Sequence, residues 1–325
     1  MASSAEVAAH AGVSRSTVSQ ILNGHGNRFT PDMVQRVEST ARKLGYRPSV
    51  AARTLARGTS DIVITLIPNI TFGPRLRDLI DTITRELADA GLTNLLRLAS
   101  SDESFEDSIL ALRPRGLWSL APLTREQRSR LHNQGVQVID QSHDLQVAID
   151  REIGAIQAAH LVAAGYERIA AAMPTDQREM PYANARVDGA LNWCADHGIE
   201  HLPTLHLDMT RGGPALAARL LDSRSFGVAA YNDDVALAVL GAATRAGRPV
   251  PDDIGVIGVD NSTVAMIATP SITTVDLDLT FSGHEIVRAL LDGPDALPTE
   301  PFEIVRRQIS VVQGESTPTP PPPAT

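Results

Sequence analysis

Ser14, Arg15, Ser16, Thr17, Ser19 and Gln20 bring hydroxyls, a guanidinium and a carboxamide together in one short stretch. Val18, Ile21 and Leu22 recur among them at helical spacing, so the polar set takes the outward face of a short helix. Such a face suits nucleic acid: arginine fits the O6 and N7 acceptors of guanine, glutamine pairs with adenine, and serine discriminates little. Ser14 is a good cap for this helix, and Gly12 permits the turn before it. Ser3 and Glu6 form a capping box that starts a first helix near Ser4, with Val7, Ala8 and Ala11 on one face. Thr30-Pro31 caps and starts a third helix, whose Met33, Val34, Val37 and Leu44 make an apolar stripe up to Gly45. Three small helices can share one core. Two of them joined across a glycine have the shape that enters a DNA major groove.

The charge is divided in the same place. The chain of 325 residues carries a net charge of −9, yet residues 1–60 hold eight basic side chains against three acidic ones, leaving 21 against 35 for the rest. A basic module on an acidic body suits a protein that meets phosphates with one end only. A hydrophobic content of 43% allows a large core and more than one domain.

From Asp61 onward, short apolar runs alternate with amphipathic stretches, the pattern of parallel strands covered by helices. Strands are expected at 62–67, 92–98, 116–120, 136–140, 168–173, 226–231 and 254–260, with a final one at 303–312. Helices are expected at 75–90, 104–112, 125–134, 152–164, 185–197, 214–221 and 234–246. The end of the chain has five prolines after Ser316 and is expected to be disordered.

The headpiece motifs Ala11-Gly12-Val13-Ser14, Thr17-Val18-Ser19 and Leu44-Gly45-Tyr46-Arg47-Pro48, with Asn232-Asp233 and Gly258-Val259-Asp260-Asn261 far downstream, strongly resemble the lactose-repressor (LacI/GalR-type) transcription regulators. The resemblance extends over nearly the whole chain. It implies an α/β protein with an N-terminal three-helix helix-turn-helix headpiece and a hinge helix, followed by a two-lobed, periplasmic-binding-protein-like sensor of parallel sheets flanked by helices. The boundaries expected are 1–46 for the DNA-binding domain, 47–59 for the hinge, 60–312 for the effector-binding and dimerisation domain, and 313–325 for a Pro-rich tail. Within the sensor, the first lobe would span 60–150 with a returning segment near 280–312, and the second 151–275.

By that resemblance, Arg15, Ser16 and Gln20 reach base edges, and Ser14, Thr17, Ser19 and Asn23 contact phosphates, setting register without conveying sequence. Arg28 and Arg53 join the DNA-binding set. Many relatives carry arginine where this chain has Gln20, so its operator should depart from the commonest family site there. Ser49 can cap a hinge helix of about two turns, too short to be stable alone. Leu55 matches the leucine that wedges into the minor groove at the centre of a palindromic site. Two half-sites and a homodimer follow.

In the sensor, the resemblance makes Arg186 a ligand for effector oxygens, with Asn232 and Asp260, each at an expected strand end, holding hydroxyls from the other side. Phe72 and Asp140 complete the lining. Donors, acceptors and an apolar face together suit a sugar or sugar derivative. Where sugar-binding relatives often place an aromatic, this chain has Met209, and aromatic content is only 4%; a nucleoside or another polar metabolite is the alternative effector. Binding would shift operator occupancy by closing the cleft and changing the spacing of the hinges.

Other classes fare worse. Neither a G-x-G-x-x-G turn, a G-x-x-x-x-G-K-[ST] loop, a Gly-x-Ser-x-Gly elbow nor an H-E-x-x-H spacing is present, so an enzyme is not expected. A lone cysteine, Cys194, offers no disulfide or multi-cysteine metal site. No cofactor, metal or membrane partner is expected. The chain shows no leader-like apolar segment after Met1 and no membrane-length apolar run, and reads as a bacterial cytoplasmic, nucleoid-associated protein. A transport-associated binding protein would have no use for residues 1–57, and a ligand-independent DNA binder would have no cleft.

Overall fold

In the computed structural model, residues 2–46, 54, 57–70, 73–99, 105–121, 123–140, 142–209, 224–297 and 299–321 are described. The expected hinge cap Ser49, the DNA contacts Arg53 and Leu55, the cleft residue Phe72 and the helix at 214–221 lie outside them.

The headpiece forms as its caps dictate. Helix Ser4–Ala11 starts behind Ser3, whose hydroxyl accepts from the Glu6 amide while the Glu6 carboxylate accepts from the Ser3 amide. Gly12 then takes a left-handed turn, φ 67°, into helix Arg15–Gln20, capped by Ser14. The third helix, Pro31–Lys43, crosses both and buries Val37 and Ala41 against Val7, Ala11 and Val18.

Strands alternate with helices through the rest of the chain. In the first sheet, β1 (Ile62–Ile67), β2 (Thr93–Leu98), β3 (Gly116–Ser119) and β4 (Gln137–Asp140) run parallel in the order β2-β1-β3-β4. Helix Pro74–Asp89 seals one face through Leu79, Ile83 and Leu87. The second sheet contains β5 (Arg168–Pro174), β6 (Glu200–His201), β7 (Leu205–Leu207), β8 (Phe226–Ala230), β9 (Ile254–Val259), β10 (Thr273–Leu277) and β11 (Ile309–Val312). Its order is β11-β10-β9-β8-β5-β6, β7 also pairs with β5, and only β10–β11 is antiparallel. The central strands β5, β8 and β9 are buried throughout, as continuous apolar runs require in a sheet covered on both faces.

Four expectations change. Helix His143–Ala163 begins nine residues before the expected start at 152, because Ser142 caps it by accepting from Leu145 N. Strands β6, β7 and β10 were not foreseen; the first two are very short, and β10 lies in a Thr/Asp-containing run whose alternation is weak. Of the expected final strand 303–312, the first part is helix Pro301–Arg306, started by proline at its first turn, and only Ile309–Val312 is strand. That strand belongs to the second sheet and not to the first lobe; what returns to the first lobe is helix Thr280–Asp292, through Val287 and Leu290.

The expectation of a disordered tail from residue 313 is corrected as well. Ser316 and Thr317 are buried beside β9 and β10, where Ser316 Oγ donates to Val256 O and accepts from Thr273 N. Gln313 Nε2 donates to the Thr317 carbonyl, and His160 Nε2 lies 3.0 Å from Thr317 Oγ1. Side-chain hydrogen bonds, invisible to a composition argument, seat the chain before its prolines begin.

Candidate functional site

The polar face of helix Arg15–Gln20 stands outward while Val18 is fully buried. Arg15, Ser16 and Ser19 are exposed; Thr17, Gln20 and Asn23 are partly so, and Arg28 is exposed beyond the helix. Ser14 Oγ accepts from Thr17 N at 3.0 Å and lies 2.7 Å from Ser16 Oγ and 2.8 Å from Thr17 Oγ1. Ser14 therefore holds the helix start, and its neighbours carry the outward hydroxyls. Asn23 Nδ2 donates to Ser19 Oγ, and the Asn23 carbonyl accepts from Arg57, whose other amine pairs with Asp61. One guanidinium thus bridges the end of the recognition helix and the start of the sensor.

The sensor cleft opens where the strands of both sheets end. From the second lobe come Arg186 on helix Met180–Asp196, Asn232 at the end of β8 and Asp260 at the end of β9; from the first come Pro68, Ile70, Gly73 and Leu76. The cleft encloses about 150 Å³. Three of the expected effector residues, Arg186, Asn232 and Asp260, are brought together there. Asp140 is not among them: it lines an adjoining cavity and pairs with Arg128 Nη2 at 2.5 Å. Met209 does not line the cleft and is 46% exposed.

Asn232 caps helix Asp233–Arg245 by accepting from Val235 N through its own Oδ1, which fixes the amide at the cleft edge. Asp233, next to it, is buried and accepts from Ser262 N and Thr274 Oγ1, so it ties strand ends together. Asp260 adopts φ 101° at the strand end. Burial raises its carboxyl to about 7, against the pull of Arg186. Gly73 lies over it from the opposite lobe, where a Cβ would come within 3.0 Å of Asp260 Oδ2. Beside this contact, Arg75 Nε of the first lobe meets Asp276 Oδ1 of the second at 2.5 Å.

Arg186 is the centre of the polar wall. Its Nη2 and Nε reach Asp150 Oδ1 at 2.6 and 3.2 Å, Nη1 donates to the Tyr231 carbonyl, and its guanidinium lies 4.8 Å from the Tyr231 ring centroid. Burial works against the charge, but Asp150 heads the groups that more than offset it, so the cation is held more firmly than usual. Glu179 bonds the Tyr231 hydroxyl, and burial pushes that phenol upward. Asp150, Glu179, Tyr182, Tyr231 and Arg75 were missed by sequence reasoning. Only Asp150 carried a signal there, as a carboxylate where the chain was expected to cross between lobes.

An outward-facing helix-turn-helix on a two-lobed body with a polar cleft defines a DNA-binding transcriptional regulator with an effector domain. Residues 5–49 match the model for bacterial regulatory proteins of the lacI family, and residues 158–317 that for a periplasmic binding protein-like domain. The HTH-type transcriptional regulator CelR of Thermobifida fusca is 30% identical over 329 residues, covering 92% of this chain and 94% of that protein. MalR of Streptomyces coelicolor is 28% identical over 339 residues, covering 97% of each. The chain belongs to the LacI family.

Among solved structures, the Lac repressor dimer bound to operator and the anti-inducer ONPF superposes with a TM-score of 0.72 at 21% identity, covering 96% of this chain and 98% of that one. A CelR–cellobiose complex matches with a TM-score of 0.59 at 22% identity, covering 97% and 100%. These relatives are regulators, not enzymes. Among the described residues no helix is long and apolar enough to cross a membrane, and no group of His, Cys, Asp and Glu is placed to hold a metal ion.

Proposed function

We propose that the protein works in the cytoplasm as a homodimeric repressor, gripping palindromic operators with paired headpieces (residues 1–46) and hinges (47–59), under control of a sugar-like effector in the cleft of the sensor that follows. The observation that carries this reading is the convergence of Arg186, Asn232 and Asp260 on one cleft faced by Gly73 of the other lobe. A cation, an amide and a carboxylate offer donors and acceptors to several hydroxyls at once. The CelR–cellobiose complex and the Lac repressor–operator dimer support the same assignment.

The base contacts fall to Arg15, Ser16 and Gln20, the phosphate contacts to Thr17, Ser19, Asn23 and Arg28. Leu55 and Arg53 belong to the hinge part of that interface. Support for the dimer comes from exposed apolar side chains: Leu95, Leu96 and Leu98 on edge strand β2 are 38%, 48% and 54% exposed, and Met266 and Ile267 are 62% and 73% exposed. Surfaces of this kind are covered by a partner.

Selection of genomic fragments by the full-length protein, followed by footprinting, tests the assignment. Two protected half-sites related by a dyad, released or tightened by a sugar or glycoside, are expected. Fragments without a shared palindrome would overturn it.

A further inference from the structure

Arg113 and Arg115 flank Pro114 in the turn between helix Phe105–Leu110 and β3, and both are exposed. This turn lies at the hinge end of the first lobe. Ser60, which follows the expected hinge, donates from N and Oγ to the Arg113 carbonyl at 2.7 and 3.0 Å, and Arg115 N donates to Ile62 O at the start of β1. The effector cleft opens at the other end of that strand, roughly 20 Å away along the six residues of β1. The recognition helix also ends on the hinge side: Arg57 joins the Asn23 carbonyl to Asp61, one residue past Ser60, at 3.0 and 3.1 Å.

Positive charge is in surplus at this turn, although the sensor as a whole is acidic. Asp61 is held by Arg57, and Glu106 and Asp107 of the preceding helix are held by Arg130. Arg113 and Arg115 enter no ion pair among the described residues. The backbone is unusual as well. Arg113 has φ 45°, a left-handed conformation rare outside glycine, and the proline after it favours extended backbone instead. The two hydrogen bonds from Ser60 hold it there, so the turn presents an arginine where glycine or asparagine would be the relaxed choice.

Resting on the operator-binding role proposed above, we infer that the sensor itself touches the operator: Arg113 and Arg115 of each protomer bind backbone phosphates between the centre of the palindrome, where the hinges sit, and the half-site read by the recognition helix. Guanidinium groups match phosphate oxygens with paired donors, and such contacts add grip without adding sequence preference. Because both arginines belong to the first lobe, the effector domain holds DNA directly, beyond the headpiece and hinge.

The test is the salt dependence of operator affinity in the full-length protein. Two arginines in each of two protomers meet about four phosphates, which contribute about 3.6 to the slope of log affinity against log salt. Between about 50 and 200 mM salt, the loss of affinity should therefore be about a hundredfold smaller in Arg113→Gln/Arg115→Gln than in the wild type. The thermal transition and the discrimination of bases facing Arg15 should be kept. Arg115→Gln alone, which leaves the left-handed turn residue in place, should make that loss about tenfold smaller. Arg151→Gln/Arg224→Gln removes the same charge from exposed positions of the second lobe and should behave as the wild type. Operators carrying one methylphosphonate at a time give the location: at least one position between the centre and the half-site should weaken the wild type severalfold and leave the double variant unaffected.

Unchanged salt dependence in both Arg115→Gln and the double variant, an equal change in the second-lobe control, or no methylphosphonate position that separates the wild type from the variants overturns the inference and leaves operator binding intact. Failure of the wild type to prefer any palindrome overturns the inference together with the role on which it rests.

Discussion

Arg186 is paired with Asp150, 36 positions earlier and on a neighbouring helix, and not with Asp188, two residues away on its own helix. Asp188 instead lies 3.8 Å from Arg151 at the surface. Asp150 is 1% and Arg186 13% exposed, so neither has water to fall back on. Asp150→Asn strands a buried guanidinium, and the expected loss is about 3–5 kcal/mol of stability, read by urea unfolding. A loss below about 1 kcal/mol would mean that the pair does not organise the cleft wall.

Close helix packing sets up this pair. A Cβ at Gly154 would come within 2.0 Å of the Arg186 carbonyl, and one at Gly189 within 2.0 Å of the Arg151 carbonyl. Backbone stands against backbone at both points. Gly154→Ala must push helices His143–Ala163 and Met180–Asp196 apart, with an expected cost of about 1–3 kcal/mol and weakened effector binding. Unchanged unfolding and unchanged effector affinity in the same variant would refute that packing role.

Asp260 gives the protein a pH signature. Its carboxyl releases its proton near 3.8 when unfolded and at about 7 when folded. Below the lower value both states are protonated and the group is neutral to stability. As pH rises from about 4 to 7 the unfolded chain ionises first, so stability is lost through that window and levels off above it. Asp260→Asn should flatten this part of the thermal-stability profile. Effector binding that uses the carboxylate as acceptor should weaken as pH falls through about 7.

Edge strand β2 is the next test. Leu96→Glu places a charge on the exposed apolar row and should shift sedimentation toward monomer, with operator affinity falling in parallel because one headpiece holds only half a site. A variant that stays dimeric would move the interface elsewhere.

Local rules made much of the fold legible. The caps at Ser3 and Ser14 and the apolar runs of β1, β5, β8 and β9 sit where the sequence places them, because each depends on neighbours within four residues or on full burial. Arg186, Asn232 and Asp260 were legible through resemblance to a family. The seating of Ser316 and Thr317 was not, since it rests on hydrogen bonds to Val256 and Thr273 far back in the chain. The displacement of Asp140 from the cleft and the Arg75–Asp276 contact across it were hidden for the same reason: each depends on a partner brought near only by the fold.

The most direct measurement is a titration of labelled duplexes with full-length protein at moderately high salt, comparing a selected palindrome with a scrambled duplex of the same composition. The palindrome should bind at least about a thousandfold more tightly, and Arg15→Ala should erase about 1–3 kcal/mol of that preference at one base pair. Equal affinity for the two duplexes would contradict a paired, groove-reading headpiece.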